Sequence, residues 1–309
     1  MTGGAGFIGS HLVDRLVAEG YDVVVLDNLS TGNLENIGGN LDTKRVRFVK
    51  GDIRDYQTVR DVSEGMAMVF HLAGIANVAW STQNPGATHE VNATGTLNVL
   101  RASLEARVAK VIFASSCAVY GNPLKIPIEE DHPTNPMSPY GASKLAAEGY
   151  VRAFASAFGL ESVCLRLFNV YGPRQHEGDS SGVIARFSKM LVKGISPKIY
   201  GDGEQRRDFV FVQDVVEAFL RALEGGRNAE AYNIGSGRAF SVNEIFNILR
   251  CSLGKEEIQA DYAPARSGEI RVSIADIKKA TAELGFRPMV SLEEGLRLTL
   301  QERTIYAGK

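Results

Sequence analysis

The sequence predicts an α/β fold, a doubly wound parallel sheet followed by a smaller, mixed C-terminal lobe. Three observations carry this expectation. Short, nearly continuous apolar segments recur along the first half of the 309 residues. Longer segments with helical spacing separate them. A glycine-rich loop, MTGGAGFIG, stands where the first strand of such a sheet passes into its first helix. Strands apolar throughout their length are those buried on both faces, which is the situation of a parallel sheet between two helical layers.

The elements follow in order. YDVVVLD (21–27), VRFVK (46–50), AMVFHLA (67–73), AKVIFASS (109–116) and ESVCLRLFN (161–169) read as buried strands. Helical spacing fills 9–19, 55–64, 88–107 and 139–158. The second half is less regular. Residues 182–194 and 242–254 read as helices, 208–226 passes from a strand into a helix, 232–237 is a strand and turn, and 273–286 is expected to be helical. The reading is a nucleotide-binding domain over 1–172 and a mainly substrate-binding lobe over 173–309, with 208–235 returning in part to the first domain. The chain opens on the glycine loop itself, whereas such a loop ordinarily follows a buried strand. The expectation is truncation by about five residues, because a missing central strand would leave neighbouring backbone groups unpaired. An unusual replacement for that strand is the alternative.

Composition removes several classes of function. With 34 basic and 36 acidic side chains the net charge is −2, which argues against a broad nucleic-acid surface. No apolar run reaches the length needed to span a bilayer, and no leader precedes the first motif. Cys117, Cys164 and Cys251 are too widely spaced for a disulfide framework or a zinc site, so a reducing cytoplasm is the simplest setting. His11, His71, His89, His132 and His176 form no metal motif, and no metal is expected.

Gly3, Gly6 and Gly9 form a Gly-x-x-Gly-x-x-Gly loop. A helix starting near Phe7 can aim its free N–H groups at a pyrophosphate, and side chains at the glycines would block that approach. Together with the sheet this makes a Rossmann-like domain the expectation, although a glycine turn alone is also a common structural device. Asp27 ends a strand about 20 residues further on, where a carboxylate accepts from adenosine ribose hydroxyls and repels a 2′-phosphate. NAD is thereby favoured over NADP. Asn28, Ser30 and Asp52 could complete the adenosine end, with Ile53 as an apolar shelf.

Further motifs run through the whole chain: LDNLSTG (26–32), HLAG (71–74), VNATGTLNVL (91–100), SSCAVYG (115–121), PYGASK (139–144), RLFNVYGPRQ (166–175) and RRDFVFVQD (206–214). With the opening loop they resemble the extended short-chain dehydrogenase/reductase family, in particular nucleotide-sugar epimerases of the UDP-glucose 4-epimerase type. The resemblance implies an NAD-dependent isomerase that inverts C4 of UDP-glucose or UDP-galactose through a 4-keto sugar. It adds Ile8, Leu72 and Ala73 to the cofactor site and makes Ser116, Tyr140 and Lys144 the catalytic group. Tyr140 and Lys144, four residues apart on a helix, face one site. The ammonium is expected to stabilise the phenolate, so that Tyr140 can take a hydroxyl proton, and Lys144 to reach the nicotinamide ribose. Ser116 would orient the reacting sugar oxygen. Related 4,6-dehydratases carry Asp–Glu where this chain has Cys117–Ala118, so elimination of water is not expected.

The same resemblance assigns Asn92, Asn169, Arg207, Asn233 and Arg266 to the substrate, with Tyr171 lining the same cleft. Asn92 has an alternative as support for the active-site helix. The two arginines suit phosphate oxygens through their planar donor arrays. Ser273 stands where bulk disfavours 2-acetamido sugars, so acceptance of N-acetylhexosamines is expected too. UDP-glucuronate 4-epimerisation is the nearest enzymatic rival, and a non-catalytic NAD-sensing protein is the rival of another class. A homodimer formed through the helices of 88–107 and 139–158 is also implied.

Overall fold

The computed structural model describes residues 1–176, 182–265 and 268–307. The chain forms helix α1 (Phe7–Ala18), strand β1 (Val23–Asp27), a short α2 (Gly38–Leu41), β2 (Val46–Lys50), α3 (Tyr56–Ser63) and β3 (Met68–His71). Helices α4 (Val78–Gln83), α5 (Pro85–His89) and α6 (Gly95–Glu105) lead to β4 (Lys110–Ser116), α7 (Pro139–Phe158) and β5 (Glu161–Leu167). Next come β6 (Asn169–Tyr171), α8 (Val183–Val192), β7 (Lys198–Tyr200), β8 (Arg206–Phe211), α9 (Val212–Glu224) and β9 (Glu230–Ile234). The last elements are β10 (Ala239–Ser241), α10 (Val242–Ser252), β11 (Asp261–Ala263), β12 (Val272–Ser273), α11 (Lys278–Leu284) and α12 (Leu292–Ala307).

The main sheet is parallel throughout. β1 pairs with β2, and β3, β4, β5 and β9 pair in that order. Met1 and Thr2 stand between the two halves. Thr2 bridges both Leu26 and His71, and the backbone exchanges hydrogen bonds with Leu26 on one side and with Phe70 and Leu72 on the other. The row therefore reads β2-β1-Thr2-β3-β4-β5-β9. Every residue of β4 is buried, which explains the unbroken run of apolar and small side chains after Lys110.

Helices cover both faces. One core gathers Leu12, Leu16, Val215 and Phe219 of α1 and α9 against the sheet, and the other gathers Val59, Val99, Leu100 and Val151 of α3, α6 and α7. A third core builds the smaller lobe around Phe187, Phe209, Phe246 and Leu296. There β8 pairs with β10, β12 and β6, and β7 with β11.

Two helical expectations change. The segment 88–107 is one continuous path with a break: α5 begins earlier, at Pro85, and Glu90–Thr94 forms a π turn before α6. The segment 273–286 is helical only over α11. Its first residues are extended because Ser273 pairs with Arg207, and Ala275 bridges Ile128 and donates its N–H to the Asp208 carboxylate.

Candidate active site

The glycine loop is as tight as its composition suggests. Gly3 adopts φ +72°, and a Cβ there would lie 2.6 Å from the amide nitrogen of Ala73. A Cβ on Gly9 would lie 2.1 Å from the Gly3 carbonyl oxygen. The loop and the Leu72–Ala73 backbone therefore face each other with room for hydrogen atoms only. α1 starts at Phe7 with no side-chain cap from Gly6, so its first-turn N–H groups have no side-chain acceptor at that end. Phe7 and Ile8 lean into the cores, which holds the helix end in place. This cradle fits a dinucleotide pyrophosphate.

Asp27 is buried at the end of β1. Its two oxygens accept from the N–H groups of Ala5 (3.0 Å) and Leu29 (2.8 Å), which fixes the carboxylate beside the loop. Asn28 donates to Asp52 at 2.9 Å and accepts from Ser30 N–H at 3.0 Å. The hydrogen bonds of Arg54 are the largest influence on Asp52 and hold its carboxyl down at about 2, so it stays ionised. Ile53 lies under α6, where any side chain at Gly95 would strike it. It is a buried core residue (4% exposed) more than an open shelf.

Ser116, Tyr140 and Lys144 come together where β4 meets α7. Ser138 caps α7 by accepting from Gly141 N–H, and Pro139 occupies the first turn. Gly141 lets this end lie close to the turn after β4, since a Cβ would stand 2.5 Å from the Ala118 carbonyl oxygen. Ser81 of α4 accepts from Tyr140 N–H at 3.1 Å. The Ser116 side chain acts on the Tyr140 phenol and favours its ionised form. Lys144 donates to the Ala114 carbonyl at 2.8 Å, with its ammonium 4.8 Å from the Phe113 ring centroid.

The expected electrostatics are corrected by burial. Tyr140 is pushed up to about 12 because its phenolate would be desolvated, and Ser116 only partly offsets this. Lys144 is lowered to about 8 for the same reason, its charge partly sustained by Glu148. The ammonium stands with the Ala114 carbonyl, so the protein by itself keeps Tyr140 neutral. Cys117 is raised to about 12, chiefly by burial and then by Asp208. A thiol held protonated replaces the acid that dehydration would need.

The substrate side is partly redrawn. Asn92 is 1% exposed, and its amide binds Ile75 N–H, the Ile75 carbonyl and the Ser143 hydroxyl. The Ser143 hydroxyl in turn donates to the Tyr140 carbonyl. Asn92 thus supports the active-site helix, and substrate contact is not its role. Asn233 is 0% exposed, accepts from Tyr120 Oη at 2.7 Å and donates to the Ile128 carbonyl at 2.8 Å. Its amide is spent on the interior, which removes it from the substrate set. Tyr171 is likewise a core residue, donating its hydroxyl to Leu292.

Asn169 is exposed at the start of β6. Arg207 is half-buried, with Glu269 at 4.0 Å. Ser273 is its ladder partner, so the two side chains share a face of the sheet. Asp208, fully buried, accepts from Ser236 N–H and Oγ, Gly237 N–H and Ala275 N–H, tying β8 to two other segments of the lobe. Arg266 lies outside the described residues.

Sequence reasoning missed the support beneath the catalytic group. Glu148, one further turn along α7, and Arg166 of β5 form a buried pair with two contacts of 2.8 and 2.9 Å. The spacing Tyr140–Lys144–Glu148 was the available signal. Among the described residues no metal-binding cluster occurs and no helix is long and apolar enough to cross a membrane.

The profile of the NAD-dependent epimerase/dehydratase family matches residues 1–235. A UDP-glucose 4-epimerase of Thermotoga maritima, solved with UDP-glucose, superposes with a TM-score of 0.95 at 42% identity, covering 99% of this chain and 98% of that one. A UDP-N-acetylglucosamine 4-epimerase from Methanobrevibacter ruminantium, in complex with UDP-N-acetylmuramic acid, gives 0.94 at 36% identity, with 99% and 97% covered. A dTDP-glucose 4,6-dehydratase from Streptomyces venezuelae, solved with NAD, gives 0.94 at 35% identity with the same coverages. One backbone thus carries two chemistries among these relatives.

Proposed function

We propose a function from one premise: this chain belongs to the NAD-dependent epimerase/dehydratase family. It is an NAD-dependent UDP-glucose/UDP-galactose 4-epimerase. The observation that carries the reading is the convergence of Ser116, Tyr140 and Lys144 where β4 meets α7, with Lys144 anchored on the Ala114 carbonyl and Cys117–Ala118 following with no acid. When bound, NAD supplies the acceptor and donor of hydride at C4 and, in its oxidised form, a positive charge that favours phenolate. The glycine loop and the α1 N-terminus would hold its pyrophosphate, Asp27 its adenosine ribose and Lys144 its nicotinamide ribose. Ser116 orients the C4 oxygen. Tyr140 takes the C4 hydroxyl proton as the sugar becomes a 4-keto sugar, and returns it to the oxygen after the sugar has turned its other face. Arg207 binds the diphosphate, with Asn169 beside the sugar.

Ser273 favours a second substrate class, because its small side chain next to Arg207 leaves space for an N-acetyl group. Exposed Tyr150 and Phe158 on α7 support a homodimer built on α6 and α7. The three free cysteines support a cytoplasmic setting.

The test is incubation with UDP-glucose and with UDP-N-acetylglucosamine, resolving products by chromatography. UDP-galactose and UDP-N-acetylgalactosamine are expected. Tyr140→Phe should lower kcat by about 10²–10⁴-fold while keeping NAD. Conversion of UDP-glucose alone defeats the N-acetyl assignment. Conversion of neither sugar by the NAD-bound protein defeats the main one.

A further inference from the structure

Three residues on one face of α7 dock onto three consecutive residues of β4. Lys144 donates to the Ala114 carbonyl, Glu148 accepts from the Ser115 hydroxyl at 2.6 Å, and Ser116 acts on the Tyr140 phenol. The helix thus engages the strand end through both the Ser115 side chain and the Ala114 backbone. Glu148 is 0% exposed and carries four donors: Arg166 through Nε and Nη2, Ser115, and Arg152 through Nη2 at 2.8 Å. Arg166 in turn donates to the Tyr120 hydroxyl and to the Glu130 carbonyl.

A buried ion pair of this kind is a costly way to gain stability, since desolvating two charges offsets most of their attraction. An apolar pair would fill the same space. The pair therefore calls for a use beyond packing, and its neighbour one helical turn away is Lys144. Around Lys144, α7 contributes Tyr140 and Glu148, β3 contributes His71, and β5 contributes Cys164. Burial keeps Tyr140 and His71 neutral and pushes the Cys164 thiol up, so that it stays protonated. Burial also works against the Glu148 charge, but Arg166, Ser115 and Arg152 hold its carboxyl below the usual range. Among the described groups that face Lys144, Glu148 is left as the negative charge.

We propose that Glu148, clamped by Arg166, is a positioning residue of the active site: it registers α7 on β4 and sustains the ammonium form of Lys144. The inference rests on the epimerase reading only for its kinetic consequence. Removing the negative charge makes the buried ammonium harder to keep, so Lys144 loses its proton at lower pH.

The experiment uses the NAD-bound protein labelled with ¹³C-lysine, with the Lys144 signal assigned by its loss in Lys144→Met. Glu148→Gln and the double variant Glu148→Gln/Arg166→Met are titrated beside the wild type, folding being checked by circular dichroism. In Glu148→Gln the Lys144 midpoint is expected to fall by about one pH unit, and the alkaline limb of kcat for UDP-glucose to fall with it; in the double variant, which loses a cation along with the anion, it should fall by less. The double variant decides if the single one fails to fold, because it leaves no buried cation unpaired, Arg152 being half exposed. Ser115→Ala keeps every charge and should leave the midpoint in place. An unchanged midpoint in a folded Glu148 variant overturns the proposal, as does an equal shift in Ser115→Ala. Absence of turnover in the wild type would count against the epimerase reading and leave the lysine titration to judge Glu148.

Discussion

His71 sits 1% exposed at the centre of a chain of hydrogen bonds. Thr96 donates its single hydroxyl proton to the Asn92 carbonyl, so its oxygen must accept from His71 Nε2 at 2.8 Å. That leaves Nδ1 to accept from the Thr2 hydroxyl at 2.7 Å, while Thr2 accepts from Ala73 N–H. The neutral ring is thus fixed in one tautomer, and it ties the glycine loop to the π turn that supports α7. Burial, then the charge of Lys144, lowers His71 from 6.5 to about 3. The unfolded chain therefore binds the extra proton first, and the neutral ring's contribution is complete above about 6.5 and is lost as pH falls toward 3. Urea unfolding should show stability declining through this window with a His71 contribution near 1.4 kcal/mol per pH unit. His71→Asn should remove that part of the slope, and an identical slope in the variant would show that the ring does not titrate there.

At the scale of elements, the join between loop and helix is the most demanding. Gly9 faces the Gly3 carbonyl so closely that a methyl group cannot be accommodated without opening the loop. Gly9→Ala should leave a folded protein that has lost most of its bound NAD, measured by release and absorbance, and full retention would show the loop to be adaptable. This join was legible in the sequence because glycine spacing and the strand-ending Asp27 report backbone geometry directly. The strands β4 and β5 and the full length of α7 were legible as well, from apolar runs and helical spacing. The π turn at Glu90–Thr94 was not, since one extra residue in a helical turn barely disturbs the pattern of buried positions. For Asn92 the sequence left support of α7 open beside substrate contact, and for Asn233 it did not foresee burial, since an amide looks the same in sequence whether it faces a ligand or satisfies buried backbone. The extended start of 273–286 depends on the partners Arg207 and Asp208, which are remote in sequence.

Across the whole molecule, the sheet and the lobe are joined by segments from widely separated parts of the chain. β9 adds to the main sheet beside β5, and the turn that follows it runs straight to Asp208. That carboxylate serves Ser236 through Oδ1 and both Gly237 and Ala275 through Oδ2. Three amide hydrogens separated by about forty positions thus share a single acceptor group, and no one of them can be freed by a ripple confined to its own segment. In deuterated water they should behave as one clock, exchanging at a common opening free energy as the segments around Asp208 part from β8. Ala275 exchanging far faster than Ser236 and Gly237 would show that the segments part separately. A common rate would make these three hydrogens a gauge of how often this junction comes apart, readable without any substrate.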